Sequence, residues 1–430
     1  MTDSSTLFGR ELRRYRLAAG LSLTGLAELV HYSKGHLGKI ETGDKRAGID
    51  LARLCDAALD AGGELAAMVT EDRVEPSSPA PVAEADDEVL MMTFAPDGTS
   101  WLVPMNRRQA LAAGAVSLMA TKLTPGALPA GARQESTIAA FKQLFNQSRK
   151  LGQMASPGIV LPTVVAQGHT VRGMAKSASG PQQIELLRLA ARYQEYAGWL
   201  AQEAGDDRAA LNWTNAAVDL ADAAEDRDLA AHGLIRRALI TLYRDDARQT
   251  IELAAQAQAS NRASARTRGQ AALREAQGHA LAGDYDSCRR ALDRAAVLLA
   301  AGEQPGELAL GQSSVTDLTS MVTGWCLHDL GRPGEAAEIL DDQVSRIPAD
   351  SLRAHARFGT RQALAHASAG EVDHACGLAH GVLNSAEVVD SATIRTDLRR
   401  LARTLARWHN HGEVRILQER LSAALHVPIQ

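Results

Sequence analysis

The sequence predicts an almost all-α protein: a small N-terminal bundle of short helices, then a long array of helical hairpins, with one small β-hairpin between them. Three observations predict it. Aromatics make up only 4% of the chain, while Ala, Leu, Arg and Gln abound, residues that lose little freedom in a helix. Gly or Asp turn signals recur every 38 to 48 residues through the second half. At 430 residues the chain also exceeds what one compact domain usually holds.

The first block covers residues 1–70. Phe8, Leu12 and Tyr15 share one helical face, and Gly20 closes that helix. Ser22 suits the N-cap of a second helix, LTGLAELV. After the tight turn His31-Tyr32-Ser33, Ser33 caps a third, KGHLGKIE, which Gly43 ends. A fourth starts near Asp50 and turns Leu51, Leu54, Cys55 and Leu59 inward. Residues 71–88 hold three prolines, two serines and acidic clusters, a composition that cannot form a core and predicts a flexible linker. Residues 89–183 open with two apolar runs flanking Pro96-Asp97-Gly98, which predicts a β-hairpin over 89–104. Asn106 is expected to cap a helix running through Ala110–Ala120, too short to span a bilayer.

Residues 184–430 carry the internal repeat. The segment GDYDSCRRALDRA (283–295) resembles the second half of a tetratricopeptide repeat, in which a Gly-Asp turn joins two closely packed antiparallel helices. The layout recurs at 197–217 (Gly198, turn Gly205, Ala210, Ala217), 323–340 (Gly324, turn Gly331, Ala336) and 366–379 (turn Gly370, Ala375). A poorer copy at 229–258 has Asp245-Asp246 at the turn, and a last one at 392–426 turns at His411-Gly412. The spacing exceeds the ~34 residues of the regular repeat, so these are degenerate copies with longer helices. An irregular helical bundle is the alternative.

The net charge of −5 excludes a generally basic coat but not a local basic face. Cys55, Cys288, Cys326 and Cys376 lack metal-ligand spacing and fall in apolar helical patterns. They are expected to be buried, reduced thiols. Arg10, Arg13, Arg14 and Arg16 break up any N-terminal apolar run, so no signal peptide is expected and a cytoplasmic location is. The chain has no P-loop, HExxH, GxSxG or GxGxxG after a strand, and its histidines are scattered. No enzyme, cofactor or metal centre is expected.

Two eight-residue helices joined by a short turn make a helix-turn-helix, whose second member can enter a major groove. The segment GLSLTGLAELVHYSKGHLGKIETGDKR (20–46) resembles the Xre/λ-repressor-type family, and within it actinobacterial regulators whose recognition segment reads YSKxxLxKIExG. Leu26, Ala27, Val30, Leu37, Ile40, Glu41 and Gly43 fall in that register. The resemblance implies base-edge contacts from Lys34, Gly35 and Lys39, with His36 alongside, and phosphate contacts from Ser22, Tyr32, Lys45 and Arg46. It also implies a structural pair between Glu41 and Arg16. The sequence departs from the pattern in having Leu23 where a DNA-contacting glutamine is frequent, His31 where a left-handed glycine is usual, and Gly48 near a common proline.

Joined to degenerate tetratricopeptide-like repeats, such a head resembles the peptide-pheromone-sensing regulators of Gram-positive bacteria. That resemblance implies a homodimer on a two-fold-related double-stranded operator, with a peptide or small-molecule effector in a concave groove. Counted from the turns, the first helix of each repeat faces inward, so Arg192, Trp199, Gln277, Trp325, His328 and Arg357 are expected to line the groove. Packing between repeats is the other use for Trp199 and Trp325. The alternative for the whole body is a protein-interaction scaffold without a small ligand.

Overall fold

The computed structural model describes residues 4–70, 88–94, 100–106, 132–260, 263–302, 310–311 and 314–425. The expected linker at 71–88 lies outside the described residues except for Glu88, and so do Pro96-Asp97-Gly98 and the stretch 110–120. The head comprises α1 (Ser4–Ala18), α2 (Leu23–Leu29), α3 (Lys34–Glu41), α4 (Ile49–Leu59) and α5 (Glu64–Thr70). An antiparallel hairpin follows, β1 (Glu88–Phe94) with β2 (Ser100–Asn106), pairing Val89 with Met105 and Phe94 with Ser100. Asn106 thus ends a strand, where the sequence led us to expect a helix cap.

The body consists of α6 (Ala132–Leu151), α7 (Pro157–Ser177), α8 (Gly180–Ala204), α9 (Asp207–Ala223), α10 (Arg227–Tyr243), α11 (Ala247–Ala259), α12 (Ala265–Ala282) and α13 (Tyr285–Ala301). It continues with α14 (Leu318–Asp329), α15 (Pro333–Ser345), α16 (Leu352–Ser368), α17 (Val372–Val389), α18 (Ala392–Leu405) and, after a 3-10 turn at Ala406–Trp408, α19 (Gly412–Leu425). Each of the six turns read from the sequence joins two of these helices, giving the pairs α8–α9 through α18–α19.

The turns form for a local reason. In three of them a left-handed residue (Gly205 at φ 93°, Asp245 at 58°, Gly283 at 80°) is followed by an aspartate. Asp206, Asp246 and Asp284 then accept the backbone N–H three residues on, from Ala209 (2.8 Å), Gln249 (2.9 Å) and Ser287 (2.9 Å). Each such cap contributes about 1 kcal/mol. Asp245 thus occupies the backbone state that glycine fills elsewhere, as aspartate tolerates better than most residues. Ala210, Ala217, Ala336 and Ala375 are fully buried where paired helices meet, and their small side chains permit that approach. All four cysteines are free and buried. Among the described residues no helix is long and apolar enough to cross a membrane.

Candidate DNA-reading head and effector cavity

The head is built around a core of Phe8, Leu12, Leu26, Val30, Leu37, Ile40, Leu51, Cys55 and Leu65, all buried. Ser22 caps α2, accepting from Gly25 N at 2.9 Å, and Ser33 caps α3, accepting from His36 N at 3.2 Å. His31 takes up the left-handed state at φ 52°, so the turn keeps its geometry without glycine. Arg16 and Glu41 form a two-pronged pair at 2.6 and 2.8 Å, with side chains only 9% and 8% exposed. Arg16 Nη1 also donates to the carbonyl of Leu21 at 2.8 Å. This pair bolts α1 to the end of α3 and fixes the angle at which α3 is presented.

On that frame Lys34, Gly35 and Lys39 are exposed along α3, which at eight residues is ~12 Å long. Lys45 and Arg46 are exposed in the loop beyond it. His36 is half-buried, edge-on to Tyr32 and 3.5 Å from Lys45 Nζ. Leu23 packs on the core beside Gly38, which accounts for the apolar residue at that position. Ser22 is exposed but engaged as a cap. Tyr32 is already partnered within the chain: its ring lies 4.7 Å from the Arg407 guanidinium.

That last contact belongs to a seam between head and body. Arg53 of α4 donates to the carbonyl of Leu281 at 2.8 Å. The body meets the head at hairpin turns. Gly331 is left-handed at φ 78°, and a Cβ there would stand 2.2 Å from the carbonyl oxygen of Arg53. Gly283 meets Gly63 in the same way, backbone to backbone. Glycine is required at both for conformation and for closeness. Further along, Gly370 abuts the ring of His31, and Arg407 and Trp408 flank a cleft of about 570 Å³ against His31, Tyr32 and His36. The head therefore rests on one edge of the solenoid.

Inside the solenoid is a cavity of about 590 Å³, within the range of small-molecule sites. Its walls come from α6, from Gln153, Leu310, Gly311 and Ser314 between helices, and from α8, α10, α12, α14 and α16, these five each the first helix of its pair. Lining residues follow helical spacing, as in Arg192, Glu195, Tyr196 and Trp199 on α8. Of the six groove residues read from the sequence, Arg192, Trp199, Gln277, Trp325 and Arg357 line the cavity. His328 does not. It stands one turn past Trp325 on α14, and its ring bonds Asp329 and Ser368, each at 3.2 Å.

Sequence reading missed Arg149, Arg236, Arg274 and Arg353, which also line the cavity. A signal was there, since Arg236 stands nine residues before Asp245 and Arg274 nine before Gly283. Seven cationic side chains face one carboxylate among the lining residues, Glu195. Some of the cations are matched from behind. Arg353 is spent on structure, bonding Glu203 and the carbonyls of Gly152 and Ala155 at 2.7 Å each. Arg192 pairs with Asp226 at 3.3 Å, and Arg236 bonds Gln202 at 2.9 Å. Among the described residues Arg274 bonds Gln277 alone. Arg357 lies against Tyr243 and Trp325, 5.7 and 5.5 Å from their ring centres.

The electrostatic consequences can be read from these surroundings. Burial lowers the guanidinium values of Arg192 and Arg236. Burial and repulsion from Arg357 push Arg274 down to about 10. Burial alone would raise Glu195, but the hydrogen bond and charge of His232, with Arg236 and Arg192 beyond, hold it at about 2. Around the same cavity Arg192 Nη1, Arg357 Nε, Gln277 Nε2 and Ser314 Oγ are buried with no hydrogen-bond partner among the described residues, and Arg236 Nε has only the Glu195 carboxylate, 3.7 Å away. Trp325 has a fixed orientation: its indole donates to Asp329 at 2.9 Å, with Arg361 3.7 Å from its ring centre. Trp199 is stacked on Tyr196 at 5.3 Å.

Comparison with known proteins bears mainly on the head. No curated protein matches the chain. Among solved structures, a Rap protein complexed with competence and sporulation factor matches over 68% of this chain and 95% of that one, at 13% identity and a TM-score of 0.42. That likeness is too distant to carry an argument about ligand or partner. Residues 7–68, the span holding α1 to α5, match the family described as a helix-turn-helix domain, so the chain carries a helix-turn-helix domain at its N-terminus.

Proposed function

We propose that the protein is a sequence-specific, DNA-binding regulator of transcription that acts as a homodimer and holds an anionic effector in the cavity of its repeat body. Four units divide the work: the head at 1–70, the linker at 71–88, the connector at 89–183 and the repeat body at 184–430. The DNA-reading part is supported by the exposure of Lys34, Gly35 and Lys39 on a helix whose pose is fixed by the buried Arg16–Glu41 pair. Lys34 and Lys39 donate to guanine O6 and N7, while Lys45 and Arg46 hold phosphates and set register. Ser22 and Tyr32 serve the backbone only where the cap and the Arg407 contact leave them free.

The observation that carries the effector reading is the set of buried guanidinium and amide N–H groups around the cavity, Arg192 Nη1, Arg357 Nε and Gln277 Nε2, that no atom of the described residues satisfies. An unsatisfied buried donor costs about 1–3 kcal/mol, more when charged. A ligand bringing carboxylate or phosphate oxygens removes that cost, and aromatic walls at Trp199, Tyr196, Trp325 and Phe358 suit an apolar portion. A peptide with acidic groups and an anionic metabolite both meet this description.

The test is footprinting across the genome with the full chain. A preferred site is expected, with Lys39→Ala reducing discrimination against mutated sites by about 1–3 kcal/mol and Arg46→Ala flattening the salt dependence. No preferred site would refute the DNA reading. Native mass spectrometry of the same protein should show a dimer and a retained anion, and Arg274→Met should lose the anion. A monomer at micromolar concentration would refute the assembly, and retention of the anion by the variant would refute the cavity assignment.

A further inference from the structure

A second cluster of chemistry lies outside the cavity, where three helices of the body meet. His366 in the last turn of α16 is buried, and both of its ring nitrogens are engaged by carboxylates. Nε2 stands 2.9 Å from Asp341 Oδ1 of α15. Nδ1 bonds Glu371 Oε2, from the N-cap residue of α17. His374, in the first turn of α17, meets His366 edge-to-face at 4.3 Å between ring centres. One ligand atom each from Asp341, His366 and His374 falls within 4.8 Å of the others. None of these residues lines the effector cavity.

The arrangement raises a question of proton inventory. A neutral imidazole has one N–H and one lone pair. If Glu371 takes the N–H, the Nε2 lone pair faces a carboxylate oxygen, and the two repel unless a cation stands between them. The ligand atom of His374 lies within 4.8 Å of those of Asp341 and His366, so a cation placed there has a third group within reach. A metal ion uses all three groups. It takes the Nε2 lone pair, the Asp341 carboxylate and a His374 nitrogen, while Glu371 fixes the tautomer and direction of His366, the usual partner of a metal-bound histidine.

We propose that Asp341, His366 and His374 form a binding site for a divalent transition-metal ion of the zinc class, with Glu371 as the positioning residue for His366. Two nitrogens and one carboxylate oxygen suit such an ion better than calcium or magnesium, which take oxygen sets. Ligands ~2.1 Å from a tetrahedral ion stand ~3.4 Å apart, so small side-chain rotations of half-exposed Asp341 and exposed His374 close the set. Their exposure leaves the fourth position to water. The ion would pin α15, α16 and α17 at the turn of Gly370, the turn on which His31 of the head rests.

The experiment uses the tag-free full chain, stripped with chelator and dialysed against Zn²⁺, with Co²⁺ as a spectroscopic probe. One equivalent should bind in the micromolar range or tighter, and Co²⁺ should give visible absorption bands of a four-coordinate nitrogen–oxygen site. His374→Ala, at an exposed position that the fold does not need, should weaken binding at least tenfold, as should Asp341→Asn. Glu371→Gln should weaken it by roughly ten- to a hundredfold. His169→Ala, elsewhere on the surface, should bind as wild type. Failure of the wild type to bind one equivalent saturably overturns the proposal. So does unchanged affinity in both His374→Ala and Asp341→Asn, and the cluster is then a hydrogen-bond network that ties the repeats together.

Discussion

Replacing Arg274 with methionine should make the ligand-free protein more stable and the effector-binding protein defective. Burial and then the neighbouring charge of Arg357 bring the Arg274 guanidinium from 12.5 down to about 10. The folded value lies below the unfolded one, so the unfolded chain holds this proton more tightly and the penalty is fully present at pH 7. At about 1.4 kcal/mol per pH unit, it costs the fold about 3 kcal/mol. The hydrogen bond to Gln277 returns about 1 kcal/mol of that. Methionine keeps the length, drops the charge and relieves Arg357, so the net gain should be about 1–3 kcal/mol. Urea unfolding of the full chain at pH 7 checks this, with the midpoint rising and the slope unchanged. Thermal midpoints in sulfate against chloride of equal ionic strength supply the second half: wild type should gain more from sulfate than the variant, since general salt effects cancel in that difference. A variant less stable than wild type by 1 kcal/mol or more would show that Arg274 serves the fold, and the argument for an anion-binding cavity would lose its main support.

Further outcomes follow from the same geometry. Glu41→Leu strands Arg16 as an unpaired buried charge and should cost the head about 3–5 kcal/mol. DNA binding should be lost while the body keeps its helical circular dichroism, and a variant that binds DNA normally would refute the pair's role. Gly331→Ala places a methyl group against the Arg53 carbonyl, so it should loosen the seam and raise amide exchange in α4. Unchanged exchange there would show that the head does not depend on this turn. Glu195 sits at about 2 instead of the ordinary 4.5. Its stabilisation is present above about pH 4.5 and is lost as pH falls through about 2, so Glu195→Gln should flatten the stability slope over that interval, and an unaltered slope would contradict the His232–Glu195–Arg236 arrangement.

The helix-turn-helix and the repeat turns were legible in the sequence because they are set locally. A serine or aspartate reaches an amide three residues away, and a left-handed residue ends one helix and begins the next, as at Gly205-Asp206 and Gly283-Asp284. The Arg16–Glu41 pair was legible through the family resemblance, since its partners lie 25 residues apart. The inward-facing helices can be counted from those turns, and Arg192, Trp199, Gln277, Trp325 and Arg357 lie on them.

Only the tertiary structure decided the depth at which each helix meets its neighbours. His328 lies one turn past the cavity and bonds Ser368 instead, whereas Arg149 enters it from α6, ahead of the first repeat turn. That difference depends on how side chains from several helices fill the space between them. The seating of the head follows the same rule, because Arg53 meets Leu281 across 228 residues. So does the meeting of Asp341, His366 and His374 on three helices. Sequence encodes contacts within a turn of helix as spacing. Contacts made by stacking one hairpin on another carry no spacing of their own, and folding alone brings them together.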